Sequence, residues 1–435
     1  MEKITVIGAG LAGCEAALAA VRSGVLVDLI DMKPAKRTPA HKSDLFAELV
    51  CSNSLKAKRI DSAAGLLKEE MRRLDSACIS AAGTCEVAAG GALAVDRDAF
   101  SAAVTERIKN CKEINVISKT VDKIPDSGVV VIATGPLTDV ALAKDIESFC
   151  GEDNLSFFDA AAPIVTAQSV DMSIAFCASR YGDGEGDYIN CPMNKTEYEA
   201  FYEALVSAET APVHGVDSSL KVYEGCMPIE VLAKRGVDSI RFGPMKPVGL
   251  RDPRTGHRPW AVLQLRKEND KGTLYNLVGF QTNLKFGEQK RVFSMIPGLQ
   301  NAEFMRYGVM HRNSFINSPR LLNRNLSLKK DERIFFAGQL SGVEGYMESA
   351  ASGIIAGINA ARYVRGEKPL ILPEFTMIGA LLGFITDETV KDFQPMGANF
   401  GVLPQLENHI RDKRERYAAL AARALSYYDK SEVKV

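Results

Sequence analysis

Residues 3–31 read KITVIGAGLAGCEAALAAVRSGVLVDLID. Lys3–Ile7 is a short β-rich run, the alanine-rich stretch after it is closed by Gly24, and a second apolar run ends on Asp31. The order is strand, tight glycine turn, helix, strand, acid. Within the turn Gly8-Ala9-Gly10-Leu11-Ala12-Gly13, the first glycine permits the bend and the second lets backbone approach a pyrophosphate. The third allows the helix to pack closely on the strand. The helix start then offers unpaired N–H groups and the positive end of its dipole to phosphate. Asp31 is placed to bond a ribose hydroxyl. Gly8, Ala9, Gly10, Leu11, Ala12, Gly13 and Asp31 are therefore the candidate dinucleotide contacts.

Two later stretches select FAD over NAD as the bound nucleotide. Residues 127–137, SGVVVIATGPL, read as a buried strand ending in Ala133-Thr134-Gly135. Residues 331–364, DERIFFAGQLSGVEGYMESAASGIIAGINAARYV, read as a strand, a glycine-rich turn and a helix of small residues. In two-part flavoproteins of the glutathione-reductase type, a late strand and helix of this kind return to complete the flavin site. Gly338 and Gln339 are thus candidate flavin neighbours. The small residues from Ser349 to Gly357 suit tight helix packing equally well. The expected fold is α/β: a glutathione-reductase-like Rossmann FAD-binding domain from residues 1–150 and 330–435, with an inserted α+β domain at 151–329. No second glycine-rich nucleotide turn occurs in the insertion, so NAD(P)H is expected to dock transiently against the flavin.

A chain of 435 residues is long for one core, which agrees with this division. Hydrophobic content of 46% and charged content of 25% are those of an ordinary globular protein. No apolar run reaches membrane-spanning length, and the N-terminus enters its first strand without signal-peptide flanks, so a cytoplasmic protein with no membrane partner is expected. Nine cysteines without a CxxC pair argue against a disulfide framework. With five unclustered histidines, a metal site is not expected either. Cys14, Cys111 and Cys150 need no role beyond that of a small hydrophobe.

Two cysteines differ in their company. Cys51 lies in LVCSNSLK (49–56), among serines, an asparagine and a lysine, and Cys226 lies in YEGCMPIEVLAKRG (223–236), at a turn before a helical pattern. Lys56, Lys58 and Arg59 near the first, and a helix start near the second, would favour thiolate over thiol. Net charge is −1, yet charge is unevenly spread. Residues 33–42 and 56–59 are basic, and residues 246–258 hold four lysines or arginines against one acid. Residues 306–324 interleave arginines with Tyr307, His311 and Phe315, and the tail RDKRERYAALAARAL reads as a basic helix. Arginine beside aromatic side chains suits phosphate contact and base stacking, although charge runs are ordinarily solvated faces.

GAGLAGCEAA, LVCSNSLK, YEGCMPIEVLAKRG, RFGPMKPVGLRDP and GQLSGVEGYMESAASG together closely resemble the folate- and FAD-dependent tRNA uracil-5-methyltransferase family, over essentially the whole chain. The first and last of these motifs are shared with a related flavoprotein that modifies wobble uridines and carries a further C-terminal helical domain, for which this chain is too short. The resemblance implies transfer of one carbon from methylenetetrahydrofolate to C5 of a T-loop uridine in tRNA, with FAD as hydride source and NAD(P)H restoring it. It also implies that Cys51 and Cys226 serve as nucleophile and general base, in an order the residues leave open. The same chemistry on ribosomal RNA, or a plain FAD-dependent oxidation of a small molecule, are the alternatives. The oligomeric state stays open.

Overall fold

Val129–Ile132 is apolar and buried at every position, the pattern of a strand covered on both faces. It is third in a six-stranded sheet of order Ser327–Leu328, Asp331–Phe336, Val129–Ile132, Lys3–Ile7, Leu26–Asp31, Ile114–Ser118. All neighbours run parallel except the outermost pair. The register places Ile4 between Val27 and Val129, and Val130 opposite Ile334. The first and the late segments of the chain therefore share one sheet. In this computed structural model the described residues are 2–38, 40–151, 155–180, 186–211, 227–391, 393–408 and 410–430.

The helices Leu11–Arg22 and Tyr346–Val364 pack against each other and against this sheet. A Cβ on Gly353 would stand 2.2 Å from the Ala12 carbonyl oxygen, and one on Gly357 2.2 Å from that of Ala16. The helices meet backbone to backbone, and the small residues of the later helix are what allow it. One apolar core joins Ile4, Phe100, Val131, Phe335 and Leu381, drawing on both ends of the chain.

Between helix Val140–Cys150 and the late strands, the chain builds a second sheet of order Phe176–Cys177, Tyr188–Met193, Ala261–Lys267, Leu274–Leu277, Ile164–Thr166, Phe304–Arg306. Its neighbours are antiparallel. Helix Lys195–Ser207 starts at a reciprocal cap: Asn194 Oδ1 accepts from Glu197 N at 2.9 Å and Glu197 Oε2 accepts from Asn194 N at 2.8 Å. Tyr198, Phe201, Phe280 and Phe293 form the centre of a separate apolar core. The antiparallel ribbon of Leu155–Ala160 and Met310–Phe315 carries the chain out and back. The architecture is α/β, a parallel nucleotide-binding sheet with an inserted α+β unit. No helix among the described residues is long and apolar enough to cross a membrane.

Candidate active site

The glycine turn opens onto a cavity lined by Gly8, Ala9, Gly10, Asp31, Lys33 and Thr134, among others. Gly8 has φ of +99°, and a Cβ there would press to 2.6 Å from the Ala133 carbonyl oxygen. A Cβ on Gly10 would meet nothing within 4 Å, so open space stands over the turn at the point where a pyrophosphate needs backbone. The helix that follows has no side-chain cap at Gly10, which leaves its first N–H groups for a ligand. Asp31 accepts the Ala9 N–H on Oδ2 at 2.6 Å and the Lys33 N–H on Oδ1 at 2.8 Å. The acid thus clamps the turn to the second strand, and its remaining lone pairs are available to a ribose. The turn, the uncapped helix and this acid fit an FAD pyrophosphate and ribose.

Leu137, which borders that cavity, also lines a second one walled by Cys51, Lys56, Gln339, Tyr346, Glu348 and their neighbours. Gly338 has φ of +76° and donates its N–H to Ser352 Oγ at 2.8 Å. Gln339 Nε2 donates to Glu344. The two cavities share one lining residue, Leu137.

Cys51 is half-buried, and the loop that carries it is fixed from four directions. The Tyr346 hydroxyl accepts the N–H groups of Cys51 and Ser52. Arg97 donates to the carbonyls of Leu49 at 2.5 Å and Cys51 at 3.4 Å, while Glu268 grips its other face at 2.5 and 3.2 Å. Arg306 donates to the Val50 carbonyl. Arg266 donates to Ser52 Oγ and Asn53 Oδ1, each at 2.9 Å. Asn53 in turn donates to the carbonyls of Val95 at 3.0 Å and Lys267 at 2.8 Å, joining the loop to the short strand Ala92–Val95 and to the antiparallel sheet. Electrostatic attraction links Cys51 to Arg97 and to Arg306, so both guanidiniums favour negative charge on the sulfur. Burial pushes the Tyr346 phenol far up, which keeps it protonated.

The structure revises several sequence expectations. Lys58 pairs with Glu86, Arg59 with Asp61 and Lys56 with Glu348, so these cations are paired with carboxylates. Arg306, read as an RNA contact, is mostly buried and braces the Cys51 loop. Phe315, read as a stacking residue, is 1% exposed and packs edge-on against Phe393. By contrast Arg251, Arg254, His257 and Arg258 are exposed. Tyr307 sits between Phe286 and Phe304 in a stack with centroid spacings of 4.9 and 5.3 Å. Burial pushes the thiols of Cys14 and Cys78 well up and that of Cys191 up to about 12, the condition of inert core cysteines. Cys226 lies outside the described residues. On either side of its segment, Ala211 N and Ile229 N donate to the carbonyls of Asn283 and Gln281, each at 2.7 Å.

Sequence reading missed Arg97, Arg266, Glu268 and Tyr346. Tyr346 alone had a signal, because it stands inside the quoted GQLSGVEGYMESAASG motif.

A parallel sheet built from both chain ends, an uncapped glycine turn and a second cavity at the late helix define a two-part flavoprotein of the glutathione-reductase type. The family model described as glucose inhibited division protein A matches residues 3–368. The methylenetetrahydrofolate–tRNA-(uracil-5-)-methyltransferase TrmFO of Enterococcus faecalis is 56% identical over 424 residues, covering 98% of this chain and 97% of that one. The protein of the same name from Moorella thermoacetica is 57% identical over 430 residues, covering 99% and 98%. The chain belongs to the glucose inhibited division protein A family and, within it, to the methylenetetrahydrofolate–tRNA-(uracil-5-)-methyltransferases. The solved structure of Aquifex aeolicus GidA superposes with a TM-score of 0.69 at 17% identity, covering 99% of this chain and 74% of that one, and confirms the fold.

Proposed function

We propose that this protein methylates C5 of a T-loop uridine in tRNA, with methylenetetrahydrofolate as carbon donor. The observation that carries the reading is the position of Cys51, on a loop whose carbonyls are held by Arg97 and Arg306, in a cavity that shares Leu137 with the nucleotide cleft. A methylene carbon is two electrons short of a methyl group, and reduced FAD, restored by NAD(P)H, supplies them as hydride. Gly8, Ala9, Gly10, Leu11, Ala12, Gly13 and Asp31 hold the pyrophosphate and ribose, and Gly338 and Gln339 border the flavin.

Uracil C5 is a poor nucleophile until a thiolate adds at C6, and a base must afterwards take the C5 proton. Cys51 and Cys226 fill these two roles. Arg97 and Arg306 stabilise the charged state of Cys51 and hold its loop. The target base must leave its stack to reach this cavity. Exposed Arg251, Arg254 and Arg258 suit phosphate contact, and the Phe286 ring, 55% exposed at the end of its stack, suits a base. Such an enzyme works where tRNA is, in the cytoplasm.

The test incubates the protein with labelled methylenetetrahydrofolate, NADPH and an unmodified tRNA transcript, with ribosomal RNA fragments in parallel. Label is expected in 5-methyluridine of the tRNA. Cys51→Ala and Cys226→Ala are each expected to abolish product and retain FAD. Normal methylation by both variants would sink the cysteine assignment, and label confined to ribosomal RNA would redirect the substrate.

A further inference from the structure

Glu348 stands in the first turn of helix Tyr346–Val364 and is 1% exposed, yet it lines the cavity that holds Cys51. Its Oε1 is fully engaged, accepting from Lys56 Nζ at 2.6 Å and from Ala398 N at 3.0 Å. Its Oε2 is buried without any hydrogen-bond partner. A buried carboxyl oxygen left without a hydrogen-bond partner is costly, so an unsatisfied one beside a cavity marks an acceptor awaiting a donor.

The surroundings say what kind of donor. Gly345 also lines the cavity. A Cβ built on it would stand 2.1 Å from Glu348 Oε2 and 2.7 Å from Lys56 Nζ. Glycine at 345 is therefore what lets the Glu348 carboxyl and the Lys56 ammonium stand together at this point of the cavity wall. Lys56 is half exposed, and its three protons exceed the two it gives, to Glu348 Oε1 and, at 3.5 Å, to the Glu344 carbonyl. Behind the pair lies Lys68, buried, donating to the Leu55 carbonyl at 2.8 Å and attracted by Glu348. Burial pushes its ammonium down to about 8. Glu348 is thus faced by two lysines, Lys56 and Lys68.

We propose that Glu348 Oε2 and Lys56 Nζ together read the imide edge of a flat heterocycle, an N–H beside a C=O, with the carboxylate taking the N–H and the ammonium giving to the carbonyl. This rests on the function proposed above, whose three reactants (flavin, pterin and uracil) all carry that edge at N3 and the adjoining carbonyl. A hydrophobic ring with no such edge would leave both groups unmatched, so the pair is a specificity device and not a general wall of the cavity.

The experiment is a chemical double-mutant cycle on the full-length protein, read as dissociation constants rather than turnover. Wild type and Glu348→Gln are titrated, after removal of FAD where needed, with three ligand pairs. These are FAD against 3-methyl-FAD, tetrahydrofolate against its N3-methyl analogue, and a T-arm RNA against the same RNA with 3-methyluridine at the target. In one arm the methyl group is expected to weaken wild-type binding at least tenfold and to make no further difference in Glu348→Gln, and that arm identifies the ring. Additive effects in all three arms would overturn the proposal. Should Glu348→Gln fail to fold, Lys56→Met at its half-exposed site takes its place. It is expected to weaken the parent ligand tenfold in a single arm, and equal affinity in all arms overturns the proposal. Wild-type protein that binds none of the three parents would instead overturn the proposed function.

Discussion

The Tyr346 hydroxyl accepts the backbone N–H of Cys51 at 2.8 Å and that of Ser52 at 3.1 Å, across 295 positions of chain. The late helix thereby sets the height of the cysteine loop over the cavity that both of them line. Removing the hydroxyl takes the partner from two part-buried donors, at a cost of up to about 1–3 kcal/mol each in stability. Tyr346→Phe is therefore expected to lower the unfolding midpoint and to slow methyl transfer roughly tenfold or more, because misplacement of a reacting group by an ångström costs rate steeply. FAD should stay bound. Unchanged turnover would show that the loop holds its place without this contact.

Arg97 is sandwiched between Glu268 and the carbonyls of Leu49 and Cys51. Breaking a buried pair strands the other charge and costs about 3–5 kcal/mol. The Arg97→Met variant also removes a positive neighbour of the thiol. Alkylation of Cys51 by iodoacetamide is expected to slow at neutral pH and its pH profile to move upward, since thiolate is the reactive form. An unmoved profile in a folded variant would leave Arg306 as the cation that matters.

Much of this site was legible in the sequence, and the illegible part has a physical cause. The nucleotide turn is local: strand, glycines, helix and acid fall within residues 3–31, and every one is where the pattern put it. Cys51 was visible through its polar neighbours. Its supports were not, because Arg97, Arg266, Arg306 and Tyr346 come from four separate segments and are joined only by folding. Charge along the chain also misled. Arg306 and Phe315 sit in basic surroundings, but the strands that carry them turn one to the Val50 carbonyl and the other into the core. Linear composition does not record which face of a strand points inward.

Glu70 is fully buried and accepts the N–H groups of Met377 and Ile378 and the Tyr428 hydroxyl, tying three helices together. Burial pushes its carboxyl up from 4.5 to about 7 despite those bonds. A raised carboxyl means that the unfolded chain releases this proton first as pH rises. The contribution to stability is thus fully present below about 4.5 and is lost as pH passes about 7. The difference is on the order of 3 kcal/mol. Urea unfolding at pH 5 and pH 8 should show Glu70→Gln with a flatter dependence than wild type, and parallel slopes would remove Glu70 from the account.

Phe286, Tyr307 and Phe304 form a stack whose interplanar angles are 16° and 10°, and Phe286 is its exposed end. The stack is continuous with the cysteine loop, because Arg306, next to Tyr307, holds the Val50 carbonyl. A base stacked on an aromatic ring gains about 1–3 kcal/mol. Phe286→Ala is thus expected to raise KM for tRNA about tenfold or more while leaving NADPH-driven reduction of the flavin unchanged. Phe286→Trp should restore binding, since it keeps a flat face, whereas Phe286→Leu should not, since it keeps only the apolar surface. Equal KM for the Leu and Trp variants would mean that the ring acts as a hydrophobic cover and not as a platform for a base.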